Sequence, residues 1–284
     1  MSWKSVLAAI AALGLALPAM ADWDPWEDFK WLQEPDMMPW SGIDIAVANL
    51  TGPPGLAGTV ADDFKCTGTG YITDIHLWMS YLNDAIVIDP MMLTFQLGIW
   101  SDIPAGTGGL SYSRPGVPLW DGFMTPTSVR PYGPPITVPG PPGGPNLLPA
   151  EHWWNPVSGL QGFDSQVWQF NFDPIEDPFW QREGTIYWLS VSVLGEYDAT
   201  IGGYKYDDHI GWKTSIDLPD SDTDDAVYFD GDLPWTPLVY PDWHQYAGQS
   251  IDMAFVITPE PSQYALVVGL GLVAFAGCRR FRAR

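Results

Sequence analysis

Cysteine is nearly missing from this 284-residue chain, which has two, Cys66 and Cys278. Cys278 sits in a C-terminal apolar run, so Cys66 is alone in the body of the protein. That excludes an internal disulfide and a cysteine-based metal site. Cys66 is expected as a small buried hydrophobe at a strand end. Basic residues are scarce too, with 12 Lys and Arg against 34 Asp and Glu and a net charge of −22. An acidic surface of this kind disfavours nucleic acid and anionic lipid as partners. It suits divalent cations, or it simply keeps the protein soluble. No sustained helical period runs through the central region.

Catalytic signatures are lacking as well. There is no G-x-S-x-G elbow and no glycine-rich phosphate loop. The histidines His76, His152, His209 and His244 show no H-x-H or H-x-x-x-H spacing for zinc. His76 is expected to be hydrogen-bonded rather than a ligand. Glu151 and Glu183 form a conceivable glycosidase pair, but a chain with 34 acids supplies such pairs by chance. The chain therefore reads as non-enzymatic.

Aromatic residues are abundant, at 14% with 16 Trp, and so are proline (28) and glycine (29). From Thr59 onward apolar residues recur at every second position. Over 71–81 one face carries Ile75, Leu77, Met79 and Tyr81, and the other carries Asp74, His76, Trp78 and Ser80. Segments 91–103, 166–173, 185–194 and 249–258 repeat the pattern, with 204–215 and 225–230 as weaker examples. This alternation predicts strands with one buried face. Residues 131–149 hold too many prolines for an interior strand and read as a surface loop. The expected fold is all-β, an antiparallel two-sheet sandwich of jelly-roll type over 57–258. Residues 22–56, with Trp23, Trp26, Trp31 and Trp40 among acids and prolines, read as an N-terminal arm that packs its indoles on the domain.

Both ends carry sorting features. Residues 1–21 have a basic start at Lys4, an apolar stretch from Val6 to Leu17, and Ala19-Met20-Ala21 before Asp22, the pattern of a signal peptide cut by signal peptidase. At the other end, Pro259-Glu260-Pro261 precedes an uncharged apolar run over 264–278 and then Arg279, Arg280, Arg282 and Arg284. As a helix that 15-residue run reaches ~22 Å, short of the ~30 Å hydrocarbon core. Terminal arginines would favour the cytoplasmic side. Losing Lys4, four arginines and Glu260 with the ends carries the net charge from −22 to −26.

The triplet, short span and basic end, in that order, resemble the PEP-CTERM sorting signal of Gram-negative bacteria. The resemblance implies recognition by an exosortase, with processing near Pro259, Glu260 and Pro261. It also implies passage through the inner membrane to the cell surface or matrix, and association with exopolysaccharide. The alternative is an ordinary single-span anchor that stays attached. Further segments, among them Ala61-Asp62-Asp63-Phe64-Lys65-Cys66, Ile72 to Trp78, Gly211-Trp212-Lys213-Thr214-Ser215 and Gln249 to Phe255, are similar to an uncharacterised domain of sorted surface proteins. That likeness implies an exported β domain and no known activity.

Two constellations are candidate sites. Asp220, Asp222 and Asp224 have the D-x-D-x-D spacing that aims alternate carboxylates at one hard cation, so calcium is the cofactor left open. Asp225 stands where such a loop needs Gly, and Gly231 where it needs Glu, which also fits a solvated acidic loop. Trp153, Trp154, Trp235 and Trp243 lie in loop-like segments beside polar groups. Exposed, they would stack on sugar rings; buried, they would cap the ends of the sandwich. Three functions follow as expectations: a non-enzymatic envelope or matrix protein, a carbohydrate-binding module with structural calcium, and a polysaccharide-active enzyme on the same scaffold.

Overall fold

The computed structural model describes residues 23–24, 28–47, 58–205, 209–216, 225–231 and 234–259. These form β1 (Trp31–Gln33), β2 (Ile43–Ala46), β3 (Thr59–Lys65), β4 (Gly70–Tyr81), β5 (Leu93–Ile103), β6 (Arg114–Met124) and β7 (Ser128–Pro131). Next come β8 (Thr137–Pro139), β9 (Leu147–Pro149), β10 (Glu151–Trp154), β11 (Gln161–Asp164), β12 (Trp168–Phe172) and β13 (Trp180–Gln181). The last are β14 (Ile186–Asp198), β15 (Gly203–Lys205), β16 (Ile210–Lys213), β17 (Val227–Phe229), β18 (Thr236–Pro237) and β19 (Phe255–Pro259). Three short 3₁₀ turns complete the regular structure of the described residues.

The strands make two large sheets. One runs β1-β19-β4-β16-β2-β10-β11, with β12, β13 and β7 joined through β4 and β12. The other runs β18-β17-β3-β14-β5-β6, with β15 on β14. Pairing is antiparallel with one exception: β10 lies parallel to β2, His152 opposite Ile43 and Trp154 opposite Ile45. The fold is therefore nearly all β and sandwich-like, as expected from the alternating segments.

The sheets meet through their apolar faces. Ile75, Leu77, Met79 and Tyr81 of β4 share one core with Phe95, Leu97 and Ile99 of β5 and with Leu189, Val191 and Val193 of β14. Phe95 packs on Phe170 and Phe172 across the gap, ring centroids 5.4 and 5.0 Å away. Within this core Asp62 of β3 is fully buried. It accepts from the Met253 amide at 2.7 Å and from Gln33 Nε2 at 3.3 Å, which ties the sheets together through a carboxylate. Cys66, just past β3, is buried as expected, its Sγ donating to the Gly68 carbonyl at 3.2 Å.

Three expectations are corrected. The arm over 22–56 supplies β1 and β2, both members of the larger sheet, so it belongs to the domain. The polar face of β4 is not solvated, because His76, Trp78 and Ser80 are as buried as the apolar face. Finally, the proline-rich 131–149 segment forms the β8–β9 hairpin and sends Ile136 inward. Ile136, Ala150 and Val167 join Trp23, Trp78, Ala254 and Val256 in a second apolar layer over the outside of the larger sheet. His76 makes the hydrogen bond expected of it, Nδ1 to Asn171 Oδ1 at 2.7 Å.

Candidate functional site

The four tryptophans proposed for sugar stacking do not form one platform. Trp153 alternates outward on β10 and is fully buried, packed with Ala46 and Leu82. Trp154 is half-buried against the central core. Trp235 is 3% exposed, in a layer outside the smaller sheet with Trp188, Phe229 and Trp100. Trp153 and Trp235 thus cap the sandwich and offer no face to a sugar. Trp243 alone is open, at 38%.

Around Trp243 the fold gathers aromatics from distant segments. His152 and Phe163 stand opposite each other on β10 and β11, ring centroids 5.3 Å apart. Trp243 lies 4.9 Å and His244 5.5 Å from the His152 ring, and Trp40 closes on it at 5.3 Å. Trp40 has φ 64°, a strained value for a bulky side chain. It is fixed there by its amide donating to Ala150 at 2.7 Å and its carbonyl accepting from Gln245 at 2.6 Å. Phe163 is 46% exposed, so an open ring pair, Phe163 and Trp243, flanks an imidazole. Burial lowers both imidazoles: His244, stacked on Tyr240, falls to about 4 with help from the neighbouring His152, and His152 falls with help from Lys213. At neutral pH the cluster is uncharged, and aromatic faces with hydrogen-bonding edges can take a ligand with apolar faces and hydroxyl rims.

A second constellation lies on the outer face of the same sheet, sealed from solvent. Lys213 of β16, Asp44 of β2, Glu151 of β10 and Asp164 of β11 are all fully buried. Lys213 Nζ donates to Glu151 Oε1 in a tight ion pair. Ser80 Oγ gives its single proton to Asp164 Oδ2 at 3.1 Å. Both oxygens of Asp44, Oε2 of Glu151 and Oδ1 of Asp164 are left without a donor. Gly42 makes room for this, since a Cβ there would collide with Lys213 Nζ.

Three carboxyls facing one ammonium in a dry layer cannot all ionise. Burial pushes Asp44 up to about 6 against the pull of Lys213. Burial likewise pushes Glu151 up to about 8 against the pull of Lys213, with the charge of Asp44 adding to the rise. Asp164 is driven well above the carboxylate range by burial and then by Asp44 and Glu151. Desolvation works to lower Lys213, but Glu151 and Asp44 outweigh it and hold the ammonium above the ordinary lysine value. The stable charge state is Lys213 protonated, one negative charge on the Glu151–Asp44 pair, and Asp164 neutral. Glu151, sealed here, is unavailable to a polysaccharide, which removes it from any glycosidase pair with the exposed Glu183.

Among the described residues, no three His, Cys, Asp or Glu side chains are placed to hold a metal ion. Asp220, Asp222 and Asp224 lie outside the described residues, as do Glu260, Pro261, Arg279, Arg280 and the apolar run over 264–278. No helix of the described residues is long and apolar enough to cross a membrane. No sequence spacing announced either constellation, since Asp44, Glu151 and Lys213 are far apart along the chain. The available signal was a charge inside an apolar strand, as in Ile43-Asp44-Ile45 and Ile210-Gly211-Trp212-Lys213. No curated protein and no solved structure matches the chain. Residues 29–258 do match a family described as "Domain of unknown function (DUF7901)", a span that takes in both constellations, and the chain belongs to that family.

Proposed function

We propose that this is a non-enzymatic, exported protein of the cell envelope or extracellular matrix, sorted by an exosortase through residues 259–284 and associated with exopolysaccharide. One observation carries the reading. The last strand, β19, ends at Pro259, the first residue of the Pro-Glu-Pro triplet, while its other residues pair with the long strand β4 and with β1. Cutting beyond Pro259 leaves every described strand of the sandwich whole. In this reading the two sheets are a jelly-roll-type scaffold, residues 1–21 are removed by signal peptidase, and the 264–278 run holds the chain in the inner membrane only until processing. The test is the intact mass of protein recovered from the cell surface. Loss of both ends supports the proposal, and mature material still carrying Arg284 in the inner membrane overturns it.

A second reading is favoured by the Phe163–Trp243 pair. Its open rings and uncharged histidines suit a carbohydrate, making the domain a binding module for the exopolysaccharide, with calcium at Asp220, Asp222 and Asp224 as a structural aid. Retardation of the protein in a gel containing the polysaccharide tests it directly.

A further inference from the structure

We propose that Lys213 and Glu151 join covalently, lysine Nζ and glutamate Cδ forming an amide that cross-links β16 to β10, with Asp44 and Asp164 as the proton carriers. The inference does not depend on how the protein is sorted.

Four placements support it. Nucleophile and acceptor are already in contact, and the contact is sealed, so the pair meets without the entropy cost of an encounter. Asp44 stands directly opposite Lys213 in the β16–β2 register, and Asp164 directly opposite Glu151 in the β10–β11 register. Each reacting group thus has its own acid–base partner one strand away. Both Asp44 oxygens and Asp164 Oδ1 have no hydrogen-bond donor, so their lone pairs are open, and the ammonium turns from Glu151 toward Asp44 to hand over its proton. Gly42 leaves the lane through which the ammonium crosses β2, with a Cβ position 3.0 Å from Glu151 Oε1.

The reaction is a dehydration and balances without an oxidant or cofactor. Asp44 takes one proton from the ammonium, freeing the lone pair on Nζ. The amine adds to Cδ of Glu151, forming the N–C bond. Asp164, protonated by its surroundings, gives its proton to a glutamate oxygen. Asp164 takes a proton back from Nζ, the C–O bond breaks, and that oxygen leaves as water carrying the proton of the neutral Glu151 carboxyl and one that began on the lysine. Asp44 keeps the other lysine proton and ends neutral, and Asp164 returns to its starting state. The product is neutral, which removes an ion pair from a layer that solvates charge poorly. The same dryness disfavours hydrolysis back.

The experiment is peptide mapping of the full-length folded chain after trypsin, which does not cut after an acylated lysine. The expected result is a fragment running through Lys213, joined to the fragment bearing Glu151 and lighter than the pair by one water. Separate fragments, one ending at Lys213 and the other of unmodified mass, overturn the proposal whatever any variant does. Glu151→Ala removes the acceptor and should restore cleavage after Lys213. Asp164→Asn keeps both reacting groups and should slow joining ~10²-fold or more. Undiminished joining in Asp164→Asn overturns the role of that carboxyl.

Discussion

Lys213 and Asp44 face each other across β16 and β2, yet the lysine ammonium reaches past Asp44 to pair with Glu151, one strand further on. It can do so only because position 42 has no side chain. Gly42→Val is therefore expected to push the ammonium off Glu151 and leave charge uncompensated in a dry layer. The expected loss is roughly 3 kcal/mol. Gly42 is not among the glycines held at positive φ, so sterics alone are at work. Chemical denaturation reads the effect, and an unchanged midpoint would show that the lysine has another route.

The buried carboxyls set a pH dependence with a definite sign. Glu151 is raised from 4.5 to about 8, so the folded chain keeps a proton that the unfolded chain releases. That contribution is full below 4.5 and is lost as pH rises through 8. Asp44 behaves alike between 3.8 and about 6. His244, lowered to about 4, pulls the opposite way below its ordinary 6.5. The clean measurement is thus a difference: the melting temperature of the parent relative to Glu151→Gln should fall between pH 4.5 and 8. A flat difference there, in chains whose Lys213 and Glu151 are unjoined, would mean that Glu151 is simply ionised. In joined chains Glu151 no longer titrates and this component vanishes.

Joining would also change stability. The loop between residues 151 and 213 spans 62 positions. On the chain-entropy account, closing it is worth about 4 kcal/mol relative to the open chain. Guanidinium unfolding of joined and unjoined parent protein should differ by that order, and coincident curves would show that the unfolded chain is not constrained.

Trp23 is the first described residue and one of the most deeply buried. Its ring meets Trp78 edge-on, centroids 5.7 Å apart, and its carbonyl accepts from Gln169 Nε2 at 3.0 Å and Arg130 Nη2 at 2.8 Å. Trp23→Ala should cost about 3–5 kcal/mol. A loss below ~1 kcal/mol would mean that the outer layer closes without it.

How far the sequence revealed these features can be judged from β4. Alternation placed the strand and named its core face correctly. It also assigned His76, Trp78 and Ser80 to water, because periodicity reports where side chains point and not what covers them. For Trp78 the cover comes from Trp23, Ile136 and Val167, segments with little period of their own, while His76 meets Asn171 and Ser80 meets Asp164. The same limit explains the tryptophans: Trp153 and Trp154 are neighbours with opposite surroundings, one sealed under Leu82 and the other half-open at the core's edge. The buried lysine cluster was invisible for a related reason, since each member is a single charge on a different strand. Pairing across β16, β2, β10 and β11 brings them together, and no local spacing encodes it.

The Phe163–Trp243 pair gives the last prediction. Trp243→Ala combined with Phe163→Ala should abolish retardation by the polysaccharide while leaving the fold intact, since both rings are open. Trp153→Ala should instead lower stability by about 3–5 kcal/mol with no direct effect on binding. Binding that survives the double variant would place any sugar contact elsewhere on the surface.

The position of β19 has a mechanical consequence. It lies between β4 and β1 and stays paired with β4 as far as Pro259, opposite Ile72. Tension applied beyond that residue runs lengthwise along a strand bonded on both edges, so its ladders are loaded together in shear instead of being unzipped one bond at a time. A protein held by that end would resist drag by sharing the pull among all the rungs at once.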